Sequence, residues 1–254
     1  MIAPEATTMT TAQEDFGLPL IHENQEKTKH LTWFDLLILT VILWGGSIYS
    51  STVSYIALVQ GTAAAEDNLA FSAADNYRAL AMQAGLLLLA LLYLRLRRFD
   101  FTVWTVRISL KAVASGILIF LASALLFDIY SLLAFPLFSG FPFPEPMGAF
   151  YGDETVSTMA YALLNGIYEE LYFLGICLSV KPQHVKWAVP FSLLVRISFH
   201  TYQGMMFALG IGLLFGGFLF LLYRRSEDKN LLPFFIAHAM GDIFGLGIMA
   251  YLWA

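Results

Sequence analysis

The sequence predicts an all-α integral membrane protein, a polytopic bundle of about seven transmembrane helices with its N-terminus in the cytoplasm. Three observations predict it. Hydrophobic residues make up 58% of the 254 and charged ones 13%, with a mean hydropathy of +0.68. Soluble domains sit near half apolar and a quarter charged. Seven stretches approach the about 20 apolar residues with which a helix crosses a bilayer while satisfying its own backbone. Nearly all basic residues fall on one side of the resulting arrangement.

Taken in order, residues 1–30 are a polar tail expected in the cytoplasm. The tail has no basic segment leading into a short apolar core, so the first apolar helix is expected to be an uncleaved anchor. Residues 31–254 then form one transmembrane domain, with spans near 34–58, 79–97, 109–130, 157–180, 187–203, 205–224 and 231–252. The fifth and sixth make one nearly continuous run. It divides at YQGMM (202–206), where Gly204 can turn the chain; a re-entrant segment is the alternative there. With the N-terminus inside, twelve of the fourteen Lys and Arg are cytoplasmic, Arg78 lies outside and Arg196 within a span.

Two outer loops follow from this topology. VQGTAAAEDNLAFSAADNY (59–77) is small and acidic. FPLFSGFPFPEPMGAFYGDE (135–154) lacks Lys and Arg, and its prolines oppose a regular helix while its phenylalanines suit the bilayer interface. The single cysteine, Cys177, has no partner for an intramolecular disulfide and is expected to pack between helices. A net charge of −5 without a basic patch gives no sign of nucleic-acid binding. Nothing in the chain indicates an oligomeric state.

A charged side chain near the bilayer centre costs about 3 kcal/mol on insertion scales. Asp35 and Asp128 lie near span ends, where they are expected to reach headgroups. The last four spans differ: they carry Glu169, Glu170, Arg196, His200, His238 and Asp242. Arg196 and His200 are four apart and share a helix face, as do His238 and Asp242. Asn165, Glu169 and Tyr172 line one stripe, while Glu170 points about 100° away, toward Gly166 and Phe173. Glu169 is therefore expected to face a chamber and Glu170 to pair with a neighbouring helix, with Arg196 as the cation. Tyr202 and Gln203 border that chamber or cap the helix end. GLLFG (212–216) and GDIFG (241–245) read as small-residue packing patterns.

A buried Glu beside His or Arg can take a proton from water, and nearby donors can stabilise the oxyanion of amide hydrolysis. Glu and His would equally suit zinc, although neither HExxH nor its inverse occurs.

EELYFL (169–174), RISFHTYQG (196–204) and HAMGD (238–242) occur in that order on separate predicted helices. This order resembles the CPBP family of intramembrane proteases, which contains CAAX prenyl endopeptidases and bacteriocin-processing or immunity proteins. The family pattern is EExxxR, then a histidine within FxxxH, then HxxxN or HxxxD, and the resemblance covers about 157–245. It implies Glu169 as general base, His200 holding and activating the water, His238 and Asp242 supporting the oxyanion, and Glu170 as a structural partner. Arg196, Asn165 and Tyr202 are candidate supporting residues. Family members are described both as metalloproteases and as metal-free glutamate enzymes. The metal-free form is the expectation here, with zinc on Glu169, His200 and His238 as the alternative. The substrate implied is a peptide or membrane protein, and the expected location is the plasma membrane. Leu174 replaces the arginine of EExxxR and Arg196 replaces the phenylalanine of FxxxH, so Arg196 is the candidate replacement cation. Two other classes remain: a non-catalytic member serving as immunity factor or scaffold, and a proton-coupled transporter. No inverted repeat supports the transporter.

Overall fold

The computed structural model describes residues 27–63, 72–141 and 156–249, and among them it is helical throughout, with only isolated β-bridges. The helices are α1 (Trp33–Val59), α2 (Ala73–Leu96), α3 (Leu110–Phe138), α4 (Val156–Glu170), α5 (Val185–His200), α6 (Met205–Arg225) and α7 (Leu232–Phe244). α1, α2, α3 and α6 are long and apolar enough to cross a membrane. α4 runs on into a π-helical segment, Leu171–Ile176, and a second π segment, Gly210–Phe215, lies inside α6. Residues 1–26 of the expected tail, residues 64–71 of the first outer loop and the proline-rich stretch 142–155 lie outside the described residues.

Local chemistry sets the boundaries. Thr32 opens α1 and Ser72 opens α2 through reciprocal capping with Asp35 and Asp75. The Ser72 cap starts α2 six residues before the expected 79. Between α5 and α6, Gly204 adopts φ 91°, which an L side chain rarely takes, so the chain turns there as expected. α3 continues to Phe138 through Pro136, contrary to the expected end at 130. A proline in a final turn forfeits a single backbone bond, so the helix can absorb it. α7 stops at Phe244 rather than near 252, because Gly245 at φ 77° ends it.

α4 lies between α2 and α7, α7 also packs along α3, and α1 packs on α5 and on the Thr201–Gln203 turn. α6 packs against α5 and α3. At one end of the bundle, backbone bonds from Thr28 to Arg98, Leu31 to Ser179 and Leu231 to Thr105 tie the connecting segments together. That end carries Lys27, Lys29, Arg95, Arg97, Arg98, Lys181 and Lys229 beside these ties. Trp44 centres the α1–α4–α5 core, its ring 4.1 Å from Phe199 and 5.5 Å from Phe173. Leu88, Leu92, Leu118, Leu125 and Leu132 stay exposed on the outer faces, as suits helices surrounded by lipid.

Small residues permit the closest approaches. A Cβ on Gly212 would lie 2.2 Å from Ile197 Cγ1, so the GLLFG pattern does pack α6 onto α5. GDIFG does not act in this way. Gly241 would meet only Leu246, and Gly245 faces open space. The tightest backbone contact beside the polar cluster is at Gly166, where a Cβ would lie 2.6 Å from the Phe235 carbonyl and 2.9 Å from the Ala239 amide. Gly166→Ala must therefore separate α4 from α7. A loss of about 1–3 kcal/mol is expected, read as a lower unfolding temperature in detergent.

The two acids expected at headgroups are engaged within the protein. Asp35 accepts from Thr32, from the Tyr93 hydroxyl at 2.7 Å and from Arg97 Nε at 2.7 Å. Asp128 accepts from the amides of Ile248 and Met249 at 2.8 and 3.0 Å, fastening the segment after α7 to α3. Backbone donors freed by the early end of α7 need acceptors, and Asp128 supplies one.

Candidate active site

α4 brings Asn165, Glu169 and Glu170 into the centre of the bundle, where α5 adds Arg196 and His200, and α7 adds His238 and Asp242. Asn165, Glu169, Glu170, Arg196, His200 and His238 are all buried. As the helical rotation anticipates, the two glutamates take different partners. Glu170 Oε1 accepts from Arg196 Nη2 at 2.7 Å and from His238 Nδ1 at 2.6 Å. Glu169 Oε1 accepts from Asn165 Nδ2 at 3.1 Å and faces His238 Nε2 at 3.5 Å, while its Oε2 is buried with no protein partner.

His238 thus bridges the two acids. Its Nδ1 faces a carboxylate oxygen, which can only accept, so that nitrogen carries a proton. Its Nε2 lies 3.5 Å from Glu169 and 3.7 Å from Asp242 Oδ1, longer than the best hydrogen bonds. The Asp242 Oδ2 accepts from Asn165 Nδ2 at 2.8 Å, so one amide reaches both acids. On α5, His200 Nδ1 lies 2.8 Å from the Arg196 carbonyl. That carbonyl only accepts, so the proton sits on Nδ1 and the Nε2 lone pair remains open. His200 stands within electrostatic reach of Glu169.

The Arg196 guanidinium lies 4.0 Å from the centre of the Phe173 ring and 5.6 Å from that of Phe215. Those contacts and Glu170 hold it in the interior, with Gly216 of α6 leaving room for its stem. Leu174, where the resemblance leads one to expect an arginine, is buried among Phe127, Ile211 and Phe215. The cation beside the glutamates therefore comes from α5.

One expected residue sits differently. Tyr172 leaves the Asn165–Glu169 stripe and shares a 2.6 Å hydrogen bond with Thr40 of α1. The π segment begins at Leu171 and shifts the register of everything beyond it. Tyr202 follows His200 in the turn to α6, with its amide bonded to Ser51 Oγ at 2.9 Å and its hydroxyl accepting from Gln203 at 2.7 Å. Two contributors were missed. Tyr161 of α4 lies among Gln83, Glu169 and Asp242, and Gln83 of α2 donates from its Nε2 to Asn165 Oδ1 at 2.6 Å. It is the sole polar side chain between Ala79 and Leu92, a signal that a search confined to ionisable groups passes over.

For a metal, the side chains of Glu169, Glu170 and His238 offer ligand atoms within 4.8 Å of one another; His200 is not in that set. Glu170 Oε1 already serves the guanidinium and the imidazole, and His238 Nδ1 is committed to it. The atoms left to hold a cation would be Glu169 Oε2 and Glu170 Oε2, both buried without protein partners, and His238 Nε2. An ion there would supply Lewis acidity to a bound water, and the nearby Arg196 guanidinium would oppose its charge.

Residues 151–244 match a family model described as type II CAAX prenyl endopeptidase Rce1-like. The match agrees with the order of the three motifs and covers α4 to α7. No curated protein and no solved structure matches the chain.

Proposed function

We propose that the protein is an intramembrane endopeptidase that hydrolyses a peptide bond of a peptide or membrane-associated substrate with water activated by Glu169. The observation that carries this reading is the buried, partnerless Oε2 of Glu169, whose other oxygen is fixed by Asn165. A carboxylate held in this way can accept a proton from water, and the open Nε2 of His200 can orient that water. The hydroxide equivalent adds to the substrate carbonyl carbon. His238, protonated on both nitrogens among the carboxylates of Glu170, Glu169 and Asp242, is anchored to Glu170 through Nδ1–H and donates its Nε2–H to the developing oxyanion. Glu169 then returns the proton to the leaving amine. Asp242 acts by orienting His238 and Asn165, since an ionised carboxylate cannot donate to an oxyanion. Arg196 holds Glu170 Oε1 at 2.7 Å and so keeps that carboxylate turned away from the proton transfers.

In this reading seven helices cross the plasma membrane, with the basic end of the bundle in the cytoplasm. No zinc takes part. The test is purified protein in proteoliposomes presented with membrane-tethered peptides of varied sequence. Cleavage is expected from the parent and not from Glu169→Ala or His200→Ala, and it is expected to persist in excess chelator. Cleavage that survives both substitutions removes the site assignment. Cleavage lost to chelator and restored by zinc removes the metal-free mechanism.

A further inference from the structure

We infer that Gln83 of α2 is a positioning residue of the site, fixing the Asn165 amide so that its N–H groups serve the carboxylates of Glu169 and Asp242. The positioning role rests on the peptidase reading; the hydrogen-bond chain itself does not. Gln83 is buried, its Nε2 donates to Asn165 Oδ1 at 2.6 Å, and Asn165 Nδ2 donates to Glu169 at 3.1 Å and to Asp242 at 2.8 Å.

The chemistry at the far end of this chain sets its polarity. Ionised carboxylates only accept, so Asn165 must turn its NH2 toward them. Its carbonyl then faces α2 and requires a donor, because an unpaired buried carbonyl is costly. Gln83 supplies that donor, while its own Oε1 has no partner. The residue is thus held from its donating side, by Asn165 and by the side chain of Tyr161. Were the Asn165 amide reversed, its oxygen would confront two acids. The two acids select against that state, Gln83 satisfies the carbonyl they turn away, and one amide then ties α2, α4 and α7 together at the candidate base. With Oε1 of Glu169 occupied, Oε2 is the oxygen left for water.

α2 lies outside the matched residues 151–244. The segment that carries the motifs therefore does not contain the whole site, and the preceding helices contribute to its geometry.

Two measurements on the full chain in detergent test the assignment. The Asn165 side-chain amide is identified by the NMR signal that Asn165→Leu removes. In Gln83→Met, which keeps side-chain length and suits an apolar helix, its hydrogen exchange should rise about tenfold. In the same variant kcat should fall about tenfold with KM unchanged, and adding Gln83→Met to Asn165→Leu should change kcat no further. Unchanged exchange overturns the proposal whatever the activity. Faster exchange with an unchanged kcat overturns the positioning role. Faster exchange in a protein whose parent cleaves no peptide upholds the clamp and removes the peptidase reading instead.

Discussion

Glu169→Gln is expected to lower kcat for peptide cleavage about a thousandfold, the range lost when a positioned general base is removed. The substitution isolates the chemistry. Glutamine has the same shape, and its carbonyl can keep the 3.1 Å bond from Asn165 Nδ2. What disappears is the capacity of the second oxygen to take a proton. KM and unfolding temperature should stay near those of the parent, because Glu170 rather than Glu169 carries the contact to Arg196. Steady-state kinetics on a tethered peptide, with thermal unfolding in parallel, reads both. A kcat within a few-fold of the parent would assign the base elsewhere. Loss of kcat together with folding would mean that Glu169 is structural.

Much of this arrangement is legible in the sequence because its signals are local. Adjacent residues on a helix diverge by about 100°, and of the adjacent acids Glu169 takes Asn165 and Glu170 takes Arg196, with His238 between them. The turn at Gly204 and the close approach at Gly212 are equally local, the one set by backbone freedom and the other by a missing Cβ. Arg196 as the replacement cation follows from type and depth, since the other cations within the spans lie near their ends.

Features that depend on distant partners are not legible. The π segment after Glu170 has an apolar sequence like any other helix there, yet it sends Tyr172 to Thr40 rather than to the chamber. Asp128 reads as a span-end acid until the early stop of α7 presents it with the amides of Ile248 and Met249. Gln83 is neutral and isolated in its run, and its role emerges only once α2 lies against α4. In each case the deciding partner is far away in the chain.

Arg196→Met is expected to destabilise the fold by about 3–5 kcal/mol, the cost of leaving a buried charge without its partner. The guanidinium and the Glu170 side chain are 1% and 0% exposed, and their contact at 2.7 Å is direct. Without Arg196, Glu170 would keep only His238, pulling that imidazole away from Glu169 and Asp242. Activity should therefore fall with stability. The double variant Glu170→Gln/Arg196→Met separates the two causes. A glutamine carbonyl can still accept from His238 Nδ1, and methionine can fill the slot between Phe173 and Phe215. Removing both charges together should restore most of the lost stability, because replacing both partners of a buried pair is often close to neutral. If the single variant stays within about 1 kcal/mol of the parent, as an uninvolved surface site would, the pair is not the internal neutralisation proposed here. If the double variant is as unstable as the single one, Arg196 acts through its packing on the two rings. With the expected pattern, the cation that EExxxR keeps one turn along its own helix is supplied here across the α4–α5 interface, and Leu174 is free to pack as an ordinary apolar residue.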